Sequence, residues 1–280
     1  QWARRQALPL ETVWHHEAHA SAVAAEFSRA GQWLMFAWDG VGLGNDGTLW
    51  GGEALLGSAG GWRRVCRLRP FRLPGGERAG REPWRSAAAL YWECGRQWPD
   101  CPDENGMAEF AWQRQLNSPL TTAAGRLFDA AAALICDQTH TSFEAQGPMQ
   151  LESLARSPRH PVYLSLMRGS NGVLTSDWEP LLDVIADTER SPGERSEIFH
   201  ASLAQVIVQQ ACRVRYEHEI HQVGLCGGVF QNRLLTELAV DGLKRRGFDV
   251  FLPEQLPCND AALCYGQAAH LAAGPPGSSK

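Results

Sequence analysis

The sequence predicts an α/β fold, and three features carry that reading. Between Gln222 and Ala273 the chain alternates a strand-like QVGLCGGVF, an amphipathic NRLLTELAVDGLKRRG, a short FDVFLP and an alanine-rich DAALCYGQAAHLAA. Such alternation builds helices packed on a sheet. Near the start, QWLMFAWDG at 32–40 is a near-continuous apolar run, the pattern of a buried strand. Glycine-dense corners, DGVGLGNDGTLWGG and CGGVFQNRLL, then follow two of these strands.

In chain order, LPLETVW at 8–14 has the short alternation of a strand. The alanine-rich segment from Val13 then predicts a helix, stopped by Gly31. After QWLMFAWDG, the loop VGLGNDGTLWGGEALLG carries an Asn-Asp-Gly turn and leads into a second strand, and WRRVCRLRPF suits a third. The three predict a β-meander with a tight glycine hairpin at its first corner. Residues 74–120 change character, with LPGGERAGREPWR, several tryptophans and the loop CPDENG, and read as a mostly helical insertion. GRLFDAAAALICDQ predicts a helix, and QGPMQLESLARS another, with Pro148 tolerable only in its first turn. Residues 162–192 are punctuated by Asp, Ser and Pro and receive no assignment. RSEIFHASLAQVIVQQACRVRYEHE predicts a long amphipathic helix, and residues 273–280 a disordered tail after a domain spanning 1–272.

Composition narrows the function classes. A chain of 280 residues suffices for one large domain or two lobes sharing a cleft. It is 44% hydrophobic and 20% charged, an ordinary soluble mixture with no apolar run near the ~20 residues of a membrane span. QWARRQALPL lacks the apolar core of a signal peptide, so the expected location is cytoplasmic, with no membrane partner. A net charge of −5 gives no footprint for nucleic acid. Lys244 and Lys280 are the only lysines and no Gly-Lys-Ser/Thr tripeptide exists, which excludes a P-loop. The eight cysteines never form Cys-x-x-Cys, so zinc ribbons are unsupported.

Three histidines crowd into five positions at the head of an alanine helix, where local folding gives no reason for them. His15 and His19 are four apart, share one helical face and can converge on one metal. His16 points elsewhere and reads as a residue outside the ligand set or at the surface. Glu17 is out of register for the general base of His-Glu-x-x-His proteases. Asp39, ending a buried strand, suits a turn or a site equally, and Asp260 is an N-cap, a site residue, or both. The alternating Gly40, Gly42 and Gly44, and the pair Gly227 and Gly228 before a helix, offer bare backbone to an anion. Two such corners imply one ligand between them, with a nucleotide as the first candidate.

Taken together, HHEAH, DGVGLGNDGTLWGGE, LRPFRLPGGERAGREPWR, GRLFDAAAAL, FEAQGPMQLE and CGGVFQNRLL followed by CND cover nearly the whole chain. In this order they resemble the C-terminal domain of the HypF family of nickel–iron hydrogenase maturation factors, a domain similar to tRNA threonylcarbamoyl-transfer proteins and an antibiotic carbamoyltransferase. The resemblance implies the actin/Hsp70/sugar-kinase class, two α/β lobes with nucleotide between them, and an incomplete first lobe. It implies a divalent metal, iron or zinc, on His15, His19, Asp39 and Asp260. Gly40 and Gly42 match the phosphate side, Asp129 and Glu144 the ribose, and Gly227, Gly228 and Asn232 the adenosine side. The implied reaction passes the carbamoyl group of carbamoyl-adenylate, made from ATP by a carbamate-adenylating module of the same enzyme, to the C-terminal cysteine of HypE. No residue of this chain is then required as a catalytic nucleophile. Rival readings are transfer to tRNA or a small molecule, and a noncatalytic piece that binds nucleotide or HypE. The chain departs from the family at Ala145 and Ala261, where a methyl replaces a glycine hydrogen beside the implied ligand, and at Glu17, where the family has histidine.

Overall fold

A computed structural model describes residues 10–157 and 159–274. Its centre is β1 (Trp33–Leu43), which pairs antiparallel with β2 (Leu49–Ser58) and parallel with β8 (Gln222–Cys226). Strand β3 (Gly61–Leu68) completes the meander on β2. Residues of β1 alternate between two packed faces. Leu34, Phe36 and Trp38 join the larger core with α4 (Ala124–Ile135) and α7 (Pro192–His218), whereas Trp33, Met35 and Ala37 pack on α1 (His15–Phe27). Burial on both faces is why this strand reads as a continuous apolar run.

Among the described residues the mixed sheet has nine strands, with the order β6-β7-β3-β2-β1-β8-β9 and two short strands beside it. Strand β9 (Asp249–Phe251) extends the parallel side, after α8 (Arg233–Arg245) and before α9 (Leu263–Ala273). At the other edge, β6 (Leu166–Arg168) and β7 (Leu174–Ser176) precede α6 (Glu179–Ile185), and β7 runs parallel to β3. The segment between β4 (Phe71–Arg72) and β5 (Leu120–Thr121) holds a 3-10 turn at Gly76–Gly80, α2 (Trp84–Glu93) and α3 (Met107–Gln113). Helix α5 (Gln146–Leu154) carries Pro148 within its first turn, and Ser191 and Glu194 form a capping box that starts α7. No described helix is long and apolar enough to cross a membrane.

Three sequence readings are corrected. Residues Leu10–Trp14, the described part of LPLETVW, form no strand: they lead into α1 with Leu10 and Trp14 exposed, and alternation without a neighbouring strand supplies no ladder. The first glycine corner is not all loop. β1 continues to Leu43, its register breaking between Trp38 and Gly42, and the turn itself lies where Gly44 N–H donates to the Thr48 carbonyl at 2.9 Å. Ala273 closes α9 instead of starting a tail; the tail beyond Gly274 lies outside the described residues.

Helices α1 and α9 touch backbone to backbone. A Cβ on Gly266 would sit 2.0 Å from the Ala18 carbonyl oxygen, so only glycine permits this approach. Trp62 Nε1 donates to Ser21 Oγ at 2.8 Å, and Ser21 Oγ lies 3.0 Å from His270 Nδ1, which ties β3, α1 and α9 together.

Glu53 of β2 is fully buried. Its carboxyl accepts from Gly51 N–H at 2.6 Å, Gly52 N–H at 2.7 Å and the Thr122 hydroxyl, fastening β2 to the entry of α4. Burial raises its pKa from 4.5 to about 7, against the lowering effect of those hydrogen bonds and of Arg64. The unfolded chain therefore releases this proton near 4.5 while the folded chain keeps it to about 7. Stability is greatest below the lower value and falls as pH rises to the upper one, by roughly 3 kcal/mol. Glu53→Gln, which keeps the neutral shape, is expected to remove this slope in denaturant titrations at about pH 5 and about pH 8. The same pH slope in both proteins would refute the assignment.

Candidate metal centre

Two helical positions, one strand end and one turn converge at the rim of the sheet. The α-helical period stacks His15 and His19 on one face of α1, with their Nε2 atoms 3.2 Å apart. Asp39 enters from the register break in β1, and its Oδ2 lies 3.1 Å from each of these nitrogens. Asp260 Oδ1 lies 3.4 Å from His15 Nε2 and 3.3 Å from His19 Nε2. The N-cap of that turn is Asn259, whose side chain accepts from Ala261 N–H, which leaves the Asp260 carboxylate free for the cluster.

All four donor atoms lie within 4.8 Å of one another. A tetrahedral ion with bonds of ~2.0–2.1 Å has donor–donor edges of about 3.3–3.4 Å. Five of the six donor–donor spacings, at 3.1 to 3.4 Å, match such edges, and two imidazoles with two carboxylates are a donor set that zinc and iron both accept. His19 is buried, whereas the Asp260 side chain is 66% exposed, so the cluster opens to solvent on the Asp260 side.

Electrostatics agree with the geometry. Burial alone would lift the Asp39 carboxyl, but hydrogen bonds from His15, His19 and Gly40 N–H hold it well below the carboxylate range. Burial disfavours a charged His19, yet hydrogen bonds to Asp260 and Asp39 raise its pKa above 6.5. A cation bound between them takes over the role of that proton.

Of the two readings of His16, the structure excludes the surface and leaves it outside the ligand set. Its side chain is fully buried, its ring 5.0 Å from that of His15 and 6.2 Å from Trp50, and neither ring nitrogen has a partner. Burial, reinforced by the charge of His15, lowers its pKa to about 3, so it packs as a neutral ring. Glu17 lies away from the cluster, 3.7 Å from His270 Nε2.

The glycines line this centre. A Cβ on Gly42 would stand 2.6 Å from His16 Cε1 and 2.7 Å from His15 Cδ2, so this glycine makes room for the histidine rings. Gly44 is needed for another reason: the Trp50 indole occupies the space a side chain would take, with Nε1 at 2.1 Å. A Cβ on Gly228 would lie 3.0 Å from Asp39 Oδ1, which puts the second glycine corner against the cluster. Gly227 has φ of +98° and packs on the Trp38 carbonyl. The two corners therefore meet at Asp39.

The remaining site candidates divide. Asp129 on α4 is buried, and burial raises its pKa to about 6 against the charge of Arg126, whose Nη1 is 3.0 Å away. Glu144 is exposed in the turn before α5. Asn232 is committed within the fold: Oδ1 accepts from Leu235 N–H at 2.9 Å and caps α8, and Nδ2 lies 2.9 Å from His200 Nε2. Ala145 adopts φ of +60°, a conformation glycine favours, and Ala261 lies in the turn that carries Asp260. Sequence reasoning passed over Arg126, although GRLFD places it three residues before Asp129, on the same helical face.

Comparison with known proteins places the chain. The family model described as carbamoyltransferase, Kae1-like domain, second subdomain, matches residues 35–267. The carbamoyltransferase HypF homolog of Cupriavidus necator strain H16 is 37% identical over 288 residues, covering 95% of this chain and 72% of that protein. Carbamoyltransferase HypF of Rhizobium leguminosarum bv. viciae is 36% identical over 273 residues, covering 94% of this chain and 35% of the relative. A crystal structure of full-length HypF in the phosphate- and nucleotide-bound form superposes with a TM-score of 0.88 at 28% identity, over 98% of this chain and 37% of that one. The chain thus spans little more than a third of two of these three proteins. With the matched segment covering most of its length, the chain belongs to the HypF carbamoyltransferase family, in the Kae1-like carbamoyltransferase domain.

Proposed function

We propose that this domain transfers the carbamoyl group of carbamoyl-adenylate to the C-terminal cysteine thiolate of HypE, giving the thiocarboxamide from which the cyanide ligands of hydrogenase iron are made. The observation that carries the reading is the meeting of four metal donors and two glycine corners at Asp39. A full-length HypF relative was solved in a phosphate- and nucleotide-bound form, which supports a nucleotide ligand. His15, His19, Asp39 and Asp260 would hold iron or zinc, which when bound supplies Lewis-acid neutralisation of phosphate oxygens. Gly40 and Gly42 give the phosphate side its bare backbone, Gly227 and Gly228 the adenosine side, and Asp129 and Glu144 the ribose contacts.

In the transfer, the acceptor sulfur attacks the carbamoyl carbon and a C–S bond forms. The bond from that carbon to the phosphate oxygen breaks, and AMP leaves with the electron pair. The nucleophile comes from the acceptor. Four of this chain's own thiols are poor candidates: burial pushes Cys94 and Cys136 up to about 11, and Cys66 and Cys226 higher still. Its eight cysteines are all free, which suits a reducing cytoplasm.

The test is mass analysis of HypE after incubation with carbamoyl phosphate plus ATP, with carbamoyl-adenylate, or with no donor. Carbamoyl mass on the terminal cysteine is expected only with the adenylate, because the carbamate-adenylating module is a separate part of the enzyme. No transfer from the adenylate by a folded, metal-loaded sample would overturn the proposal. The ribose role has its own check. Asp129→Asn is expected to weaken adenosine binding by roughly 1–3 kcal/mol in calorimetry, the worth of a hydrogen bond to a charged acceptor. Unchanged affinity would remove Asp129 from the site.

A further inference from the structure

Arg126 stands one helical turn before Asp129, at the entry of α4, and its surroundings do not account for it. The side chain is 16% exposed and its Nε is buried with no hydrogen-bond partner. Nη1 lies 3.0 Å from Asp129 Oδ2, but that oxygen receives no hydrogen bond, so the pair is close without being aligned. Among the described residues the guanidinium makes no hydrogen bond at all. A helix-stabilising ion pair at this spacing would direct its N–H groups at the carboxylate, and a buried donor left unmet is destabilising.

The space around the guanidinium is kept open by two glycines. A Cβ on Gly40 would stand 3.3 Å from Nη2, and a Cβ on Gly80 would stand 3.4 Å from Nη1. Gly40 directly follows Asp39, and its N–H donates to Asp39 Oδ1 at 2.8 Å. The first turn of α4 closes on the same point: a Cβ on Gly125 would lie 2.8 Å from Gly40 Cα and 3.1 Å from the Asp39 carbonyl oxygen. The unspent fork of donors is thereby fixed beside the residue where the metal cluster and both glycine corners meet. A guanidinium in that position matches a tetrahedral oxyanion, to which it can present two parallel N–H groups.

We propose that Arg126 binds a phosphate oxygen of the nucleotide at the Asp39 junction and selects phosphorylated over unphosphorylated nucleosides. The proposal rests on the nucleotide reading above and adds the residue that reads the phosphate. Arg126 acts by binding the ligand, while Gly40 and Gly80 act by leaving it room.

The experiment titrates the full, metal-loaded chain with AMP, adenosine and inorganic phosphate, in wild type, Arg126→Gln and Arg126→Lys. Arg126→Gln is expected to weaken AMP binding about 10- to 100-fold, with adenosine affinity and metal content unchanged. Phosphate is expected to compete with AMP in the wild type and to lose that competition in the variant. Arg126→Lys keeps the charge without the planar fork, and its AMP-to-adenosine affinity ratio is expected between the other two. A purely structural Arg126 would lower the melting temperature while leaving that ratio at its wild-type value in both variants, and this result overturns the inference. If Arg126→Gln does not fold, the ratio in Arg126→Lys decides alone: a fall supports phosphate binding, and no change refutes it. Wild-type protein that binds adenosine and AMP equally would refute the role of Arg126 yet spare the nucleotide site. Wild-type protein that binds neither would take down both.

Discussion

Replacing His15 and His19 together with alanine is expected to abolish bound metal, measured by elemental analysis of protein purified with and without added zinc or iron. The two imidazoles supply half of the donor set and lie 3.2 Å apart on one helical face. Without them, Asp39 and the largely exposed Asp260 remain, an oxygen pair that has little hold on these metals against water. His16→Ala is the matched control. It deletes the neighbouring buried ring, so stability falls, but it removes no donor and metal is retained. Full metal content in the double variant would rule out this cluster as the site.

The second large effect lies in the backbone. Gly227→Ala forces a side chain onto a residue with φ of +98° and puts its Cβ 2.2 Å from the Trp38 carbonyl oxygen, a backbone atom of the central strand. The strained dihedral and the clash together cost roughly 4 kcal/mol, which lowers the melting temperature by about 10 °C in a domain of this size. Gly247→Ala separates the two contributions. It has φ of +75° but nothing within 4 Å of the new Cβ, so only the conformational cost of roughly 1 kcal/mol applies. Equal melting temperatures for the two variants would mean that β1 yields to the intruding methyl group.

Much of the fold was legible because its elements carry their own pattern. β1 is apolar from Trp33 to Trp38 since both faces are covered there, α4 and α8 are amphipathic, and α1 and α9 are rich in alanine. Residues 162–192 resisted because β6 and β7 are three residues each, β7 held by β3 and β6 by β7 more than by any preference of their own. LPLETVW misled in the opposite way, with strand-like alternation and no strand beside it. In the site, helical spacing brings His15 and His19 together without tertiary information. The same spacing turns His16 away from the donors, but it cannot reveal that the β1–β2 hairpin closes over that ring. Gly42 reads as an anion-binding glycine in one dimension; in three it also makes room for two histidine rings. Asp260 and Asn259 are adjacent, and only the backbone shows which one caps the turn.

The contact between α1 and α9 has a consequence for the order in which the molecule is made. Two of the donors stand at the head of the first described helix, and the fourth precedes the last. A chain emerging from the ribosome carries His15, His19 and Asp39 long before Asp260 exists, and the sheet that positions Asp39 needs β8 as its parallel neighbour. Contacts of such sequence separation form late, after the loop-closure entropy between them has been overcome. At the proposed site, metal capture therefore waits for Asp260, and an ion binding only the finished arrangement would act as a clasp between α1 and the turn before α9. Nascent chains arrested before Asp260 are expected to remain metal-free, however complete the central sheet has become.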